Sequence, residues 1–133
     1  MRKLKGYIFS RPFMNERAPQ HVQNIVIRNF CEKNNFLYQL SATEYTMQNS
    51  YAVLRSLINK KEDYSGIIAY SIYQLPDELN LRIKLLKQIL NNKKIFVSAV
   101  EGIYIKSSLD ICELNKSWNI AKLLESCPKK IFN

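Results

Sequence analysis

The sequence predicts an α/β fold of three layers, with a mostly parallel sheet of four to five strands between helices on both faces. Three observations predict it. Short apolar runs recur along the chain and are apolar nearly throughout, as strands buried on both sides read. Segments of helical period lie between them. At 133 residues, with 47% hydrophobic and 11% aromatic residues, the chain has the material for one core, which excludes general disorder. A single domain over residues 1–133 is expected.

The elements follow in order. The strands are expected at Gly6–Ser10, Phe36–Ser41, Gly66–Ser71 and Lys94–Ser98, all rich in Ile, Phe, Tyr and Val. In Gln20–Asn34, residues Val22, Ile25, Val26 and Phe30 make one helical face. Pro19 stands where a helix starts and Asn34-Asn35 where it stops. In Ser50–Lys61 the face is Leu54, Leu57 and Ile58. In Asp77–Asn92 it is Leu79, Ile83, Leu86, Ile89 and Leu90, with Pro76, Asp77 and Glu78 suited to the first turn. Gly102–Ile105 reads as a short extra strand. Ser107–Ser126 reads as a last helix, whole or in two pieces, with Leu114, Trp118, Ala121 and Leu124 inward. The strand–helix alternation predicts parallel pairing.

Composition narrows the function. Twenty basic against eleven acidic residues give a net charge of +9, which attracts phosphate in some form. The lysines are dispersed rather than gathered into one arm. Three cysteines without metal-ligand spacing and one histidine argue against a zinc site and fit a reducing compartment. No apolar run approaches the ~20 residues of a membrane span, and Arg11 ends the first one too early for a signal peptide. A cytoplasmic location is expected. Neither a Gly-rich phosphate loop nor a dinucleotide fingerprint, metal motif or nucleophile elbow is present, so no cofactor and no metal are expected.

Each predicted strand ends in serine: Ser10, Ser41, Ser71 and Ser98. In a parallel sheet those ends share one edge, where ligands of open α/β sheets bind. The loops beyond them carry the candidate chemistry. The segment Ser10–His21 is long for its place. It offers Arg11 and Arg17 for phosphate or carboxylate, and Gln20 and His21 at a helix start. After the second strand come Ser41, Thr43 and Glu44, with Arg55 in the helix beyond. After the third come Ser71 and Gln74, and after the fourth Glu101. Glu44, Glu101, His21 and Ser10 are the candidates for reaction chemistry. Arg11, Arg17, Gln20, Ser41, Thr43, Arg55, Ser71 and Gln74 are the candidates for binding. Such a set, if it converges, suffices for metal-free proton transfer on a phosphorylated sugar.

Two resemblances bear on these loops. The stretches Gly6–Met14, Pro19–Asn24, Ser41–Tyr45, Tyr70–Pro76 and Val100–Gly102 resemble the sporadic carbohydrate cluster proteins. These are short bacterial proteins encoded among genes for surface polysaccharides, lipopolysaccharide and unusual sugars. That resemblance covers nearly the whole chain and implies a pathway but no reaction. A second resemblance is to the serine recombinase catalytic domain of resolvases. It rests on a Tyr-initiated first strand ending in Ser10, Gln20 and Gln23 opening a helix, Arg55, Gln74-Leu75 and Glu101. It implies a resolvase- or flavodoxin-like sheet, with Ser10 near the nucleophile's place. The recombinase arginine within the first strand is replaced by Ile8-Phe9 here. The Asp-Arg-Leu-Ser-Arg run after the third strand is replaced by Tyr73-Gln74-Leu75-Pro76-Asp77. With Asn133 as the last residue, the family's DNA-binding extension is not expected.

The leading expectation is therefore a small protein of surface-carbohydrate biosynthesis that binds, and isomerises or epimerises, a sugar phosphate or nucleotide sugar. A homodimer or larger homo-oligomer is expected, with Trp118, Ile120, Leu123 and Leu124 as a docking face. Nucleic acid is not expected as a partner under this reading. The alternatives are a non-catalytic recombinase-like nucleic-acid binder, and an accessory subunit of a sugar-biosynthetic enzyme.

Overall fold

A computed structural model describes residues 2–9, 19–44, 51–59 and 64–126, the side chains of 40 and 119–126 excepted. Five strands form one sheet: β1 (Arg2–Phe9), β2 (Phe36–Glu44), β3 (Gly66–Ala69), β4 (Ile95–Ser98) and β5 (Ile103–Ile105). Their order is β2-β1-β3-β4-β5. The pairs β1–β2, β1–β3 and β3–β4 are parallel, and β5 runs antiparallel to β4. Gly102, at φ 66°, helps the chain reverse between β4 and β5. The helices are α1 (Gln20–Lys33), α2 (Ala52–Asn59), α3 (Leu79–Asn91) and α4 (Ser108–Ser126). The order reverses between β1 and β3, so the topological switch point lies there.

The pleat divides the core into two layers. Leu4 and Ile8 of β1, Ile68 of β3 and Val97 of β4 face α1, where Ile27 and Cys31 meet them. Tyr7, Phe9, Ile67, Ala69 and Phe96 face the other way, against α2, α3 and α4. Helices thus cover both sheet faces, as the sequence predicts.

The buried faces of two helices are turned from their expected positions. In α1 the buried residues are Gln23, Ile27 and Cys31, while Ile25 is 60% exposed. The reason is Gln23, whose amide is needed inside to satisfy backbone groups of β1. In α3, Arg82 is buried and Leu79 is exposed. The Arg82 guanidinium donates to the carbonyls of Pro76 and Asp77 and to Asn115 Oδ1. It also stacks 4.0 Å above the Trp118 ring. Glu78 caps α3 by accepting from Asn80 N and Leu81 N, so the helix starts two residues later than expected. The last helix is one piece. Its Leu114 and Trp118 are buried, and Ala121 and Leu124 lie outside the described side chains.

Candidate functional site

The carboxyl edge of the parallel strands carries three polar clamps, in the order of the strands. At the β2–β1 end, Glu44 is 2% exposed. Its carboxylate accepts from the Tyr7 hydroxyl at 3.1 Å and from Val53 N, in the first turn of α2, at 3.1 Å. Glu44 thus ties the end of one strand to the start of the next helix.

The second clamp closes the switch point. Gln23 and Gln74 are both fully enclosed. Gln23 accepts from Phe9 N at 3.0 Å and donates to Phe9 O at 2.9 Å, as a neighbouring strand would. Gln74 Nε2 donates to Gln23 Oε1 at 2.7 Å, and Gln74 Oε1 accepts from Tyr70 N at 3.1 Å. The exits of β1 and β3 are thereby joined through two amides.

The third clamp joins β3 to β4. Glu101 accepts from Ser71 Oγ at 2.8 Å, from Ile72 N at 3.1 Å and from Ser98 Oγ. Ser71 Oγ also accepts from Tyr73 N at 3.2 Å, which caps the 3-10 turn Ile72–Gln74. Three of the roughly four acceptor positions of this carboxylate are taken internally.

The remaining expected residues are dispersed. Gln20 and His21 are exposed at the start of α1, Thr43 is half-buried on β2, and Arg55 is exposed on α2. Ser41 donates to Asn24 Oδ1 and so meets α1 rather than Glu101. Ser10, Arg11 and Arg17 lie outside the described residues. The structure therefore brings together Ser71, Ser98 and Glu101, and separately Gln74 with Gln23. Ser41 and Glu44 each have other partners.

The sequence places Gln23 and Asn24 only in a helix-start motif and gives Arg28 and Tyr38 no role. These last three meet beside Ser41. The Tyr38 hydroxyl donates to Asn24 Oδ1 at 2.6 Å, and the Arg28 guanidinium carbon stands 6.0 Å from the Tyr38 ring centre. Burial pushes the Tyr38 phenol above its ordinary value, against the opposing pull of Ser41 and Arg28. The available signal was the spacing His21, Asn24, Arg28, which is one helical stripe.

Among solved structures, the chain is similar to the N-terminal catalytic domain of TP901-1 integrase. The identity is 18% and the TM-score 0.65, over 91% of this chain and 98% of that one. It is also similar to a resolvase family site-specific recombinase from Streptococcus pneumoniae. There the identity is 12% and the TM-score 0.60, over 98% of this chain and 99% of that one. No protein-family model and no curated protein matches the sequence. At these identities the likeness is one of fold, and the fold is that of resolvase catalytic domains.

The likeness corrects the leading expectation. These neighbours are recombinase domains and not sugar-biosynthetic proteins. The reading as an enzyme of surface-carbohydrate or lipopolysaccharide synthesis is overturned, and the sugar substrates inferred from it fall with it. The geometry gives a physical reason why the strand-end residues misled. Polar side chains at that edge suggest a sugar site from sequence, but Ser71 and Glu101 bond each other, and Glu44 and Gln74 bond Tyr7, Gln23 and the backbone.

Proposed function

We propose that this chain is a recombinase-like domain that binds nucleic acid without exchanging strands. The observation that carries the reading is the fold match, which spans 91% and 98% of this chain and nearly all of each neighbour. The net charge of +9 supports it, since a polyanion is the partner such a charge favours.

Two features argue against strand exchange. Ile8 is 1% exposed and packs in the apolar layer under α1, so β1 offers no cation there. After β3, Leu75 and Pro76 are buried, and the nearest arginine beyond them, Arg82, is spent on the carbonyls of Pro76 and Asp77. The cations that would hold a scissile phosphate in the resembled recombinase pattern have no counterpart at these two places.

Fluorescence anisotropy with a labelled duplex and a labelled single strand tests the binding. Affinity should fall linearly with salt on logarithmic axes, by roughly 0.7 to 0.9 powers per phosphate neutralised. Absence of binding at about 50 mM salt would refute the reading. Supercoiled plasmid should remain uncut. A covalent protein–DNA adduct that disappears in Ser10→Ala would overturn the non-catalytic half.

A further inference from the structure

The three clamps engage Glu44, Gln23, Gln74, Ser71, Ser98 and Glu101 at the carboxyl edge. A different group lies on the flank of the molecule, between α1 and the outer strand β2. His21, Asn24, Ile25 and Arg28 stand at positions i, i+3, i+4 and i+7 of α1 and share one stripe. With Tyr38 and Ser41 of β2 they line a hollow of about 290 Å3.

The hollow is built rather than incidental. In a regular strand, Tyr38 and Ser41 would point to opposite faces. The register between β1 and β2 slips between Lys5 and Tyr7, where Lys5 faces Gln39 and Tyr7 faces Ala42. This bulge puts an extra residue in β2 and brings both side chains to the α1 side. Gly6 makes the floor. A Cβ there would stand 2.6 Å from Tyr38 Cε1 and 2.8 Å from Ser41 Cβ, so only glycine lets them settle. Asn24 Oδ1 then accepts from both hydroxyls, at 2.6 and 2.8 Å. Its acceptor occupied, Asn24 is oriented with its amide hydrogens, two donors, left over.

The chemistry of the lining has one sign. Among the described residues, Asn24 Nδ2 and the Arg28 guanidinium have no hydrogen-bond or ion-pair partner, and none of those lining this hollow is a carboxylate. Glu32 lines only the adjoining hollow, on the far side of Arg28, without an ion pair to it. A guanidinium, an amide and an imidazole on one lining form a set suited to a tetrahedral oxyanion.

We propose that this hollow seats a phosphate group, which on the nucleic-acid reading above is one of the polynucleotide backbone. Arg28 supplies the charge, Asn24 Nδ2 supplies a fixed donor, and His21 lies at the mouth. The site sits on the β2 flank, apart from the carboxyl edge, so nucleic acid bound here would run along α1.

The test compares Arg28→Ala and Asn24→Asp with Lys87→Ala, an exposed residue of α3 on the other sheet face. Asn24→Asp keeps the acceptor for Tyr38 and Ser41 and removes the amide donors. Thermal melts confirm that each variant folds. Arg28→Ala and Asn24→Asp should weaken oligonucleotide binding roughly three- to tenfold. Arg28→Ala should also flatten the salt slope by about one, whereas Lys87→Ala changes affinity little. In parallel, inorganic phosphate is titrated while the Asn24 side-chain amide is followed by NMR. Oligonucleotide binding that resists both flank variants would overturn this site and leave the nucleic-acid reading standing. No oligonucleotide binding, with Arg28-dependent shifts from inorganic phosphate, would keep the phosphate site and end that reading. No response in either arm would overturn both.

Discussion

Gln23 is fully enclosed, and its amide answers Phe9 N, Phe9 O and Gln74 Nε2 at once. Removing it takes one hydrogen bond from each of the three in a place water does not reach. Each buried bond lost costs about 1–3 kcal/mol. Gln23→Ala should therefore lower stability by roughly 3–5 kcal/mol in urea denaturation, a large share of the reserve of a small domain. Cys31 sits on the same helix with a different consequence. Burial pushes its thiol from 9.0 up to about 11. The folded state favours the protonated form, so this contribution is whole below pH 9 and is lost as pH rises towards 11. With Cys112 and Cys127 replaced by Ser, Cys31 should resist a thiol reagent at pH 8 until the protein unfolds. Rapid labelling of the native protein would show that the α1 layer is open.

At the scale of elements, α2 depends on a carboxylate from another segment. Glu44 ends β2 and accepts from Val53 N, in the first turn of α2. No acidic residue stands in that first turn to complement the helix dipole from within. Glu44→Ala should cost about 1–2 kcal/mol of stability, as loss of a helix cap does. It should leave oligonucleotide affinity within about twofold, since the residue is buried. A loss of affinity without a loss of stability would show that Glu44 meets a ligand instead. The sequence places Glu44 just past a strand ending at Ser41, whereas β2 runs on to Glu44 itself. It did not reveal that the side chain turns inward, because Tyr7 and Val53 lie far away along the chain.

The whole molecule rests on two unequal layers. The larger, under α2, α3 and α4, contains Trp118 at 3% exposure, with the Tyr73 ring 5.0 Å away and the Arg82 guanidinium over its face. Trp118 is thus occupied within its own chain. Ile120, Leu123 and Leu124, proposed with it as a docking face, lie outside the described side chains. Trp118→Ala should destabilise the fold by about 3–5 kcal/mol. Light scattering should return an unchanged mass for the fraction that folds. As the chain has a single tryptophan, its fluorescence also reports when this layer opens. A fall in mass without loss of stability would return Trp118 to an interface role.

Much of the fold was legible because its signals are local. Apolar runs, helical periods, Pro19 before α1 and Asn34-Asn35 after it follow from steric and propensity effects over a few residues. They gave strands and helices close to their observed places. The positions of polar side chains inside the molecule were not legible in that way. Gln23 and Arg82 occupy buried helix faces against the hydrophobic period, since each satisfies backbone groups that only the assembled sheet and turns bring near. The same holds for the flank hollow. Tyr38 and Ser41 share a face only through the bulge opposite Gly6, and a bulge is a property of two strands together. The sequence by itself determined the alternation of elements and the excess of positive charge. Only the tertiary structure decided which strands are neighbours, which carboxylates are consumed as clamps and which donors remain facing solvent. The physical reason is that periodicity is set by adjacent residues, whereas hydrogen-bond partners are chosen across the sheet.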